Sequence, residues 1–193
     1  MNGKVIRMRS TIARPGDNTA YAAGDEISNS ATAGSVVRAT FDLSGFTRGR
    51  IVSAEIDLTA ASSDVVTTAS DLEMLLFRTP DAPAAVGDNV THPIGAATRA
   101  LAVAQFRFDD TGWTGPLGTV AAGTSQDQAV MACLVQPLAT NVLQAPFYPG
   151  FFFNFEGQTL AQRELTVVLR ALAAWTPLGV VNTFGITLDL EVE

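Results

Sequence analysis

The sequence is poor in the residues that most often carry catalysis or metal binding. Its 193 residues include one cysteine, Cys133, and one histidine, His92. One cysteine cannot form an intrachain disulfide, and one histidine with one cysteine cannot supply the ligands of a zinc site. A Ser–His–Asp triad would have to use His92, and the sequence has neither a G-x-S-x-G elbow nor a phosphate-binding glycine loop. We therefore expect no enzyme activity, and we predict no catalytic residue, no cofactor and no metal ion.

Positive charge is also scarce. The sequence has 12 lysines and arginines against 19 aspartates and glutamates, which gives a formal net charge of −7. Because phosphate neutralisation dominates nucleic-acid affinity, this balance predicts that the chain does not bind nucleic acid. Charged residues make up only 16% of the chain, below the roughly 25% of typical soluble domains. Either other subunits cover part of the surface, or a Thr/Ser-rich β surface takes the place of charge.

Long apolar runs are missing as well. Charge or proline interrupts each run well short of the ~20 residues of a membrane span, so we predict no membrane partner. Residues 1–10 carry charge without an apolar segment, so we expect no signal peptide and synthesis in a cytoplasm. Cys133 lies in an alternating apolar run, a pattern that favours a buried and inert thiol.

The sequence does contain a series of short strand-like segments. They cover residues 4–13, 36–43, 51–59, 72–77, 101–108, 129–135, 151–155 and 183–192. Segment 51–59 alternates polar and apolar residues, which predicts a half-buried strand. Segment 183–192 places five large apolar residues on one face, so this strand should be paired in a sheet. Segment 72–77 is almost wholly apolar, which favours a central strand covered on both faces.

Two longer segments are less regular. Residues 160–175 combine good helix formers with the β-favouring TVVL, so helix and strand both remain open, with strand favoured over residues 164–173. Residues 79–100 are rich in Pro, Ala and Gly. A connection of that length without secondary structure is uncommon unless it is a functional or an interaction loop, and both interpretations remain open.

The series of strands punctuated by Gly, Pro and Asp predicts an all-β fold. The number of strands in this length favours an antiparallel β-sandwich of the jelly-roll type, with an extended N-terminal segment and a long middle loop. We predict a single β-sandwich domain over residues 1–193, in which residues 1–35 form an N-terminal strand or arm and a loop motif.

The most distinctive segment is DNTAYAAGDEIS, residues 17–28. Turn residues precede it and recur at Gly24, while Tyr21 and Ile27 are its only large apolar residues, so it predicts a short structured loop pinned by one aromatic. The segment resembles the D-T-x-A-Y-A-x-G-D-x-(I/V)-S segment near the N-terminus of many tailed-bacteriophage virion proteins. A looser similarity covers residues 49–89, where RGRIVSAEIDL, DLEMLLFRTPDAP and GDN follow in the same order.

The resemblance implies a small β-sandwich protein of the head decoration, or cement, type. It implies a homotrimer that binds the major capsid protein on the outer capsid surface and stabilises the head. The protein would be made in the bacterial host cytoplasm and located on the virion. A receptor- or glycan-binding module of a tail or fibre is the alternative, and an enzyme such as a glycan depolymerase fits the composition least.

The predicted interface candidates are Arg7, Arg9, Arg14, Tyr21, Trp113 and Tyr148. The N-terminal arginines have two interpretations: a solvated strand face, which we favour, or an arm that docks on an acidic neighbouring subunit. Trp113 lies in a Gly-rich loop too small to bury it, where it could contact a neighbouring subunit or stack on a sugar.

Strand alternation places Phe151, Phe153 and Phe155 on one face and Phe152 on the other. An exposed aromatic patch there would mark an interface, and a central core strand is an equally good interpretation. Three pairs of residues with oxygen-bearing side chains each have a structural and a chemical interpretation: Asp88-Asn89, Asp109-Asp110, and Glu55 with Asp57. We interpret the first two as turn caps rather than Ca²⁺ sites, and the last as an exposed polar face rather than a glycosidase pair.

Overall fold

The computed structural model describes residues 4–60, 71–108, 128–134, 151–177 and 181–193, with the backbone alone for 60, 128–134 and 151. Within these ranges the chain forms eleven strands and one short helix, α1 (Ala96–Arg99). The strands are β1 (Lys4–Ala13), β2 (Asp25–Ile27), β3 (Thr40–Asp42), β4 (Arg48–Ala60), β5 (Leu72–Arg78), β6 (Val90–Thr91), β7 (Ala102–Phe108), β8 (Gln128–Leu134), β9 (Phe151–Asn154), β10 (Glu164–Ala171) and β11 (Asn182–Val192). No helix in the described part of the chain has the length and apolarity needed to cross a membrane.

The strands form two antiparallel sheets. In the first sheet the order is β1-β11-β4, and both β8 and β9 pair with the far side of β4. In the second sheet the order is β6-β2-β10-β5-β7, and β3 pairs with β10 on the same side as β2. Each sheet mixes strands from the two ends of the chain with strands from its middle, which is the strand order of a jelly roll. The predicted all-β, antiparallel jelly-roll sandwich is confirmed.

The first sheet joins the two ends of the chain. β1 pairs with β11 along its whole length, from Lys4 opposite Val192 to Ala13 opposite Thr183. The predicted alternation of β11 is confirmed, because its inward residues are at most 2% exposed; they are Phe184, Ile186, Leu188, Leu190 and Val192. The N-terminal segment is therefore an edge strand of the sandwich.

The opposite edge of the first sheet is one strand in two pieces. β8 pairs with β4 as far as Ser53, and β9 takes over at Ile51. Val52 between them lies in a β-bulge, because the neighbouring strand β11 advances one residue where β4 advances two. In sequence, the two pieces are separated by residues 135–150.

In the second sheet, β5 is covered on both faces, as predicted. One face packs into the core between the sheets. The other face, with Leu75 and Phe77, packs against Ile94 beneath residues 79–101, which we call the cover segment. This segment contains a short 3-10 turn, β6 and α1, so the predicted long middle loop is folded onto the sheet.

The segment 160–175 is a strand preceded by a turn. Residues Leu160–Gln162 form a 3-10 turn, and β10 follows. From Leu165 onward every residue of β10 is buried, because the core lies on one face and the cover segment lies over part of the other. Burial on both faces explains why the sequence shows no simple alternation there.

β3 is shorter than the predicted strand over residues 36–43. Only Thr40–Asp42 pairs with β10. The 3-10 turn Ala33–Ser35 precedes it, and the backbone N–H of Val37 donates to Asn29 Oδ1 at 2.7 Å. β2 pairs with the same edge of β10 at Leu169, so a longer β3 would have no free partner strand there.

Candidate functional site

Arg7 and Arg9, two of the predicted interface residues, lie on the outer face of the first sheet. Their side chains are 58% and 48% exposed. Arg7 donates to Glu55 at 2.7 Å and Arg9 binds Asp57, so both arginines reach across β11 to carboxylates of β4. Each charge is balanced within the chain, which agrees with a solvated strand face. Contact with a neighbouring subunit stays a prediction.

Gly185 makes one of these ion pairs possible. It lies in β11 between Arg9 and Asp57, and a Cβ at this position would overlap both the guanidinium and the carboxylate. The hydrogen bond to Asp57, a side chain only 3% exposed, raises the pKa of Arg9. Glu55 and Asp57 are thus bound to arginines, which does not suit a carboxylate pair for glycoside hydrolysis.

Arg14 and Tyr21, also predicted as interface residues, lie inside the protein, 0% and 1% exposed. The Tyr21 hydroxyl donates to Asp88 Oδ1 at 2.6 Å and accepts from Arg14 Nε at 3.1 Å. The ring of Tyr21 stacks on Trp175, with centroids 5.1 Å apart and planes at 15°. Burial, reinforced by the Asp88 carboxylate, raises the pKa of Tyr21, and burial also raises the pKa of Asp88. Because neither Arg14 nor Tyr21 reaches the surface, their assignment to an interface is corrected: both stabilise the interior.

The rest of the DNTAYAAGDEIS motif stabilises the conformation of the same region. We call this region, residues 14–28, the corner. Tyr21 and Trp175 exchange backbone hydrogen bonds of 2.7 and 3.2 Å, which tie the β1–β2 connection to the β10–β11 connection. Gly24 has a φ of 95°, a conformation that strains any side chain. Asp25 accepts hydrogen bonds at 2.7 Å from the Ala22 N–H and from the Thr91 hydroxyl. The predicted loop pinned by one aromatic is confirmed.

The outer face of the second sheet carries a buried ionic cluster beneath the cover segment. The cluster consists of Glu26, Arg38, Glu73, His92, Arg99, Gln105 and Arg170. Glu73 of β5 accepts hydrogen bonds from Arg170 Nε at 3.0 Å and from an Arg99 terminal nitrogen at 3.1 Å. Burial opposes the charge of Glu73 most strongly, but the hydrogen bonds and charges of Arg99 and Arg170 outweigh it and lower its pKa. Glu73 is therefore a firmly ionised anchor for α1.

His92 belongs to the same cluster and is 5% exposed. Its Nδ1 lies 2.6 Å from Glu26 Oε2, and Arg38 donates to the same carboxylate at 2.8 and 2.9 Å. Burial works against the Glu26 charge, yet the hydrogen bonds from His92 and Arg38 prevail and lower its pKa. Among the residues with described side chains, no hydroxyl or thiol is hydrogen-bonded to the imidazole. The histidine thus fastens the cover segment to β2, and this geometry does not assemble a nucleophile–base pair.

A groove of about 550 Å³ opens on the outer face of the first sheet, where β9 joins β4. We call it the Phe152 groove; its lining residues are Arg48, Gly49, Arg50, Phe152, Phe153, Asn154, Glu191 and Glu193. Phe152 is 68% exposed and Phe153 is 3% exposed, which confirms the predicted alternation of this strand. Arg48 pairs with Glu193, and Arg50 pairs with Glu191. The groove therefore sets an exposed aromatic ring beside two ion pairs.

Several predicted positions lie outside the described residues. They are Trp113, Tyr148, Asp109, Asp110 and the side chains of Cys133 and Phe151. Asp88 is described, and it caps the corner by accepting the Ser28 N–H at 2.8 Å. Asn89 beside it has a φ of 57°, typical of a turn, as the sequence predicted. Over the described ranges, no group of three or more His, Cys, Asp or Glu residues is placed to hold a metal ion.

No protein-family model matches the chain, and no curated protein matches it in sequence. Solved structures with some similarity come from viruses. A chain of the semi-empty virus-like particle of the giant freshwater prawn Macrobrachium rosenbergii nodavirus gives a TM-score of 0.32 at 12% identity, over 98% of this chain and 92% of that chain. Desmodium yellow mottle tymovirus gives 0.25 at 11% identity, over 100% and 91%. Maize chlorotic mottle virus gives 0.23 at 12% identity, over 99% and 94%. Similarity at these TM-scores supports no conclusion about function.

Two features of the site are not predicted from the sequence. The ion pair across β11 requires a residue without a side chain under Arg9, and the only sequence signal is Gly185 in an otherwise regular strand. The Phe152 groove depends on the pairing of β9 with the start of β4. Alternation places Phe152 on the outer face, but it does not reveal which residues of other strands lie beside it.

Proposed function

We propose that this chain is a structural protein of a tailed-bacteriophage virion, a decoration or cement protein on the outer surface of the shell built by a major capsid protein. The observation that carries this proposal is the corner. The motif that resembles a segment of tailed-phage virion proteins builds the β1–β2 connection. Its Tyr21 stacks on Trp175 of the β10–β11 connection and donates to Asp88 of the cover segment. The similarity therefore concerns residues that specify the fold, and it supports a shared architecture.

The distribution of polar groups supports a mechanical role. The ionic cluster of the second sheet's outer face lies beneath the cover segment, where a substrate has no access to Glu73 or His92. A decoration protein acts by burying surface against shell subunits. Apolar burial contributes about 25 cal/mol per Å², less the cost of association, and this surplus resists the pressure inside the head.

The partners follow from the same proposal. The protein forms a homotrimer, contacts the major capsid protein and is located on the virion after synthesis in the bacterial host cytoplasm. Four of the predicted interface residues are proposed for these contacts. Arg7 and Arg9 expose 58% and 48% of their side chains. Trp113 and Tyr148 are proposed from the sequence, as aromatic anchors of the kind that dominate interface energetics.

The test combines mass in solution with binding to the shell. We expect light scattering on the purified chain to give the mass of a trimer. We expect the protein to co-sediment with expanded capsids that were prepared without it from the phage that encodes it. A monomer that ignores these capsids but is retained on host surface polysaccharide would contradict the proposal and support a tail or fibre module.

Substitutions identify the surface that is used. Trp113→Ala and Tyr148→Ala should each reduce co-sedimentation by about tenfold or more, as expected for truncation of interface anchors. Val37→Ala is the matched control, because Val37 is 70% exposed and is not one of the proposed contact residues. Equal co-sedimentation of all three variants would contradict the assignment of the two aromatics.

A further inference from the structure

The Phe152 groove has a regular arrangement that the decoration role does not use. The backbone register aligns Glu191 of β11 with Arg50 of β4, and Arg50 with Phe152 of β9. The next outward-facing row brings Arg48 opposite Asn154, and Arg48 pairs with Glu193. Three columns therefore lie side by side: two carboxylates, two guanidiniums, and an aromatic ring followed by an amide.

The charges of this arrangement cancel. Glu191 binds Arg50 through Oε2, and Glu193 binds Arg48 through Oε2. The groove thus holds two positive and two negative charges, already compensated in pairs. Each charge that a ligand would meet already has an opposite charge beside it, so the groove offers no net attraction to a charged ligand and suits one without net charge.

Hydrogen-bonding capacity remains around the ring. In the described part of the chain, Oε1 of Glu191, Oε1 of Glu193 and the terminal nitrogens of Arg48 have no hydrogen-bond partner. The Asn154 Oδ1 accepts the Glu156 N–H at 2.7 Å, which leaves its amide nitrogen to donate. Acceptors on β11 and donors on β4 and β9 therefore lie on the same face as one apolar ring.

We propose that the Phe152 groove binds a neutral saccharide. A sugar ring has an apolar C–H face that packs on the negative face of an aromatic ring, and its hydroxyls both donate and accept hydrogen bonds. Phe152 supplies the platform, the two glutamates accept, and Arg48 and Asn154 donate. The volume of about 550 Å³ lies within the roughly 300–1,000 Å³ typical of small-ligand sites.

Saturation-transfer NMR on the full chain tests this directly. The probes are neutral gluco-, galacto-, manno- and N-acetylglucosamine oligosaccharides, with sialyllactose and a heparin tetrasaccharide as acidic comparisons. We expect transfer to at least one neutral oligosaccharide, strongest at ring C–H protons, and none to the acidic sugars. Transfer to the acidic sugars alone, or to none of the panel, would overturn the proposal.

Three substitutions locate the site. Phe152→Ala should weaken binding of the neutral sugar by about tenfold or more, whereas Phe152→Trp should retain it because the flat ring remains. Leu160→Ala is the matched control: Leu160 is 63% exposed and lies outside the groove, so binding should not change. Because Phe152 is 68% exposed, its variants should keep the parent's thermal midpoint.

A charge change provides a second, independent readout. The double variant Glu191→Gln, Glu193→Gln leaves both arginines without their carboxylates, so binding should shift from neutral to acidic sugars. Unchanged preference in this variant would contradict the role of the compensated pairs. If instead Phe152→Ala abolishes capsid co-sedimentation while no sugar binds, the groove is a protein interface and the saccharide proposal is wrong. The inference does not rest on the decoration role, because each can fail alone.

Discussion

The two outer faces of the sandwich carry the same ionic chemistry under different cover. On the first sheet, the side chains of Arg7 and Glu55 are 58% and 28% exposed. On the second sheet, those of Arg170 and Glu73 are 7% and 4% exposed, because the cover segment lies over them. The comparison teaches that the surroundings of an ion pair, more than its geometry, decide what its loss will cost.

The physical reason is solvation. An exposed pair replaces good hydration by a weak attraction, so it contributes about 0–1 kcal/mol. A buried pair has already lost its hydration, so removal of one partner leaves an uncompensated charge and costs about 3–5 kcal/mol. The exposed pairs of the first sheet therefore keep the face soluble. The buried pairs of the second sheet hold the cover segment in one position.

The largest expected effect is the loss of Glu73. Glu73→Ala leaves the guanidiniums of Arg170 and Arg99 without their shared partner, and we expect the free energy of unfolding to fall by about 3–5 kcal/mol. Glu55→Ala, the same change on the exposed face, should cost about 1 kcal/mol or less. Urea unfolding monitored by tryptophan fluorescence measures both. Equal losses would break the comparison.

The second largest effect should be the loss of stability that acidification causes on the buried face. The pKa of Glu26 and Glu73 lies below the ordinary value of 4.5, so their contribution to stability is complete above about pH 4.5. This contribution is lost as the pH falls through the lowered values. Asp88 has the opposite sign: its pKa is raised above 3.8, so acidification favours the folded state at that site and offsets part of the loss.

The measurement is a series of urea midpoints from neutral pH to about pH 3. We expect a steep fall below about pH 4.5 in the parent, and a shallower one in Glu73→Gln, which has no proton to gain at that site. An identical slope in both proteins would show that other groups control acid unfolding.

The corner tests how much a buried neutral hydroxyl contributes when its two hydrogen-bond partners are charged. Tyr21→Phe removes the hydroxyl that donates to Asp88 and accepts from Arg14, and should cost about 1–3 kcal/mol because buried polar partners are left unsatisfied. A double-mutant cycle with Asp88→Ala isolates the pair. A coupling energy near zero would mean that ring stacking on Trp175 alone stabilises the corner.

The smallest expected losses of unfolding free energy are on the exposed face, and they increase with the burial of the carboxylate. Arg7→Ala should cost about 0–1 kcal/mol, and Arg9→Ala about 1–2 kcal/mol, because Asp57 is more deeply buried than Glu55. Gly185→Ala should displace Arg9 from Asp57 and have a similar cost. The double variant Arg9→Ala, Gly185→Ala should cost little more than either single variant. If the two losses of unfolding free energy add fully, the missing side chain at Gly185 is not what allows Arg9 to reach Asp57.

Regular elements were predictable where one face is buried. β4 and β11 alternate between core and solvent, so period two locates both strands and the inward residues of β11. In β10 both faces are covered, alternation is lost, and residues 160–175 remained ambiguous between helix and strand. The predicted strand over residues 36–43 was too long, because β2 occupies the same edge of β10 from Leu169 onward, which local propensity does not reveal.

The candidate sites were less predictable because they depend on distant neighbours. Arg14 has the same character in sequence as Arg7, yet one is buried against Tyr21 and the other lies on the outer face of a sheet. Alternation places Arg14 on the side of Ile12 and not on that of Arg7, but its partner Tyr21 is brought there by the crossing of two connections. Likewise the neighbours of Phe152 come from strands about 100 and 40 residues away in sequence, and only the sheet register brings them together.

The two-piece edge of the first sheet is aligned by a single strand. β9 takes its alignment from the start of β4, and β8 takes its alignment from Ser53 onward. Chain length and edge geometry meet in one strand, because β4 is the template on which both pieces are aligned. The bulge at Val52 marks where one template ends and the next begins, so a single irregular residue divides this edge into two units.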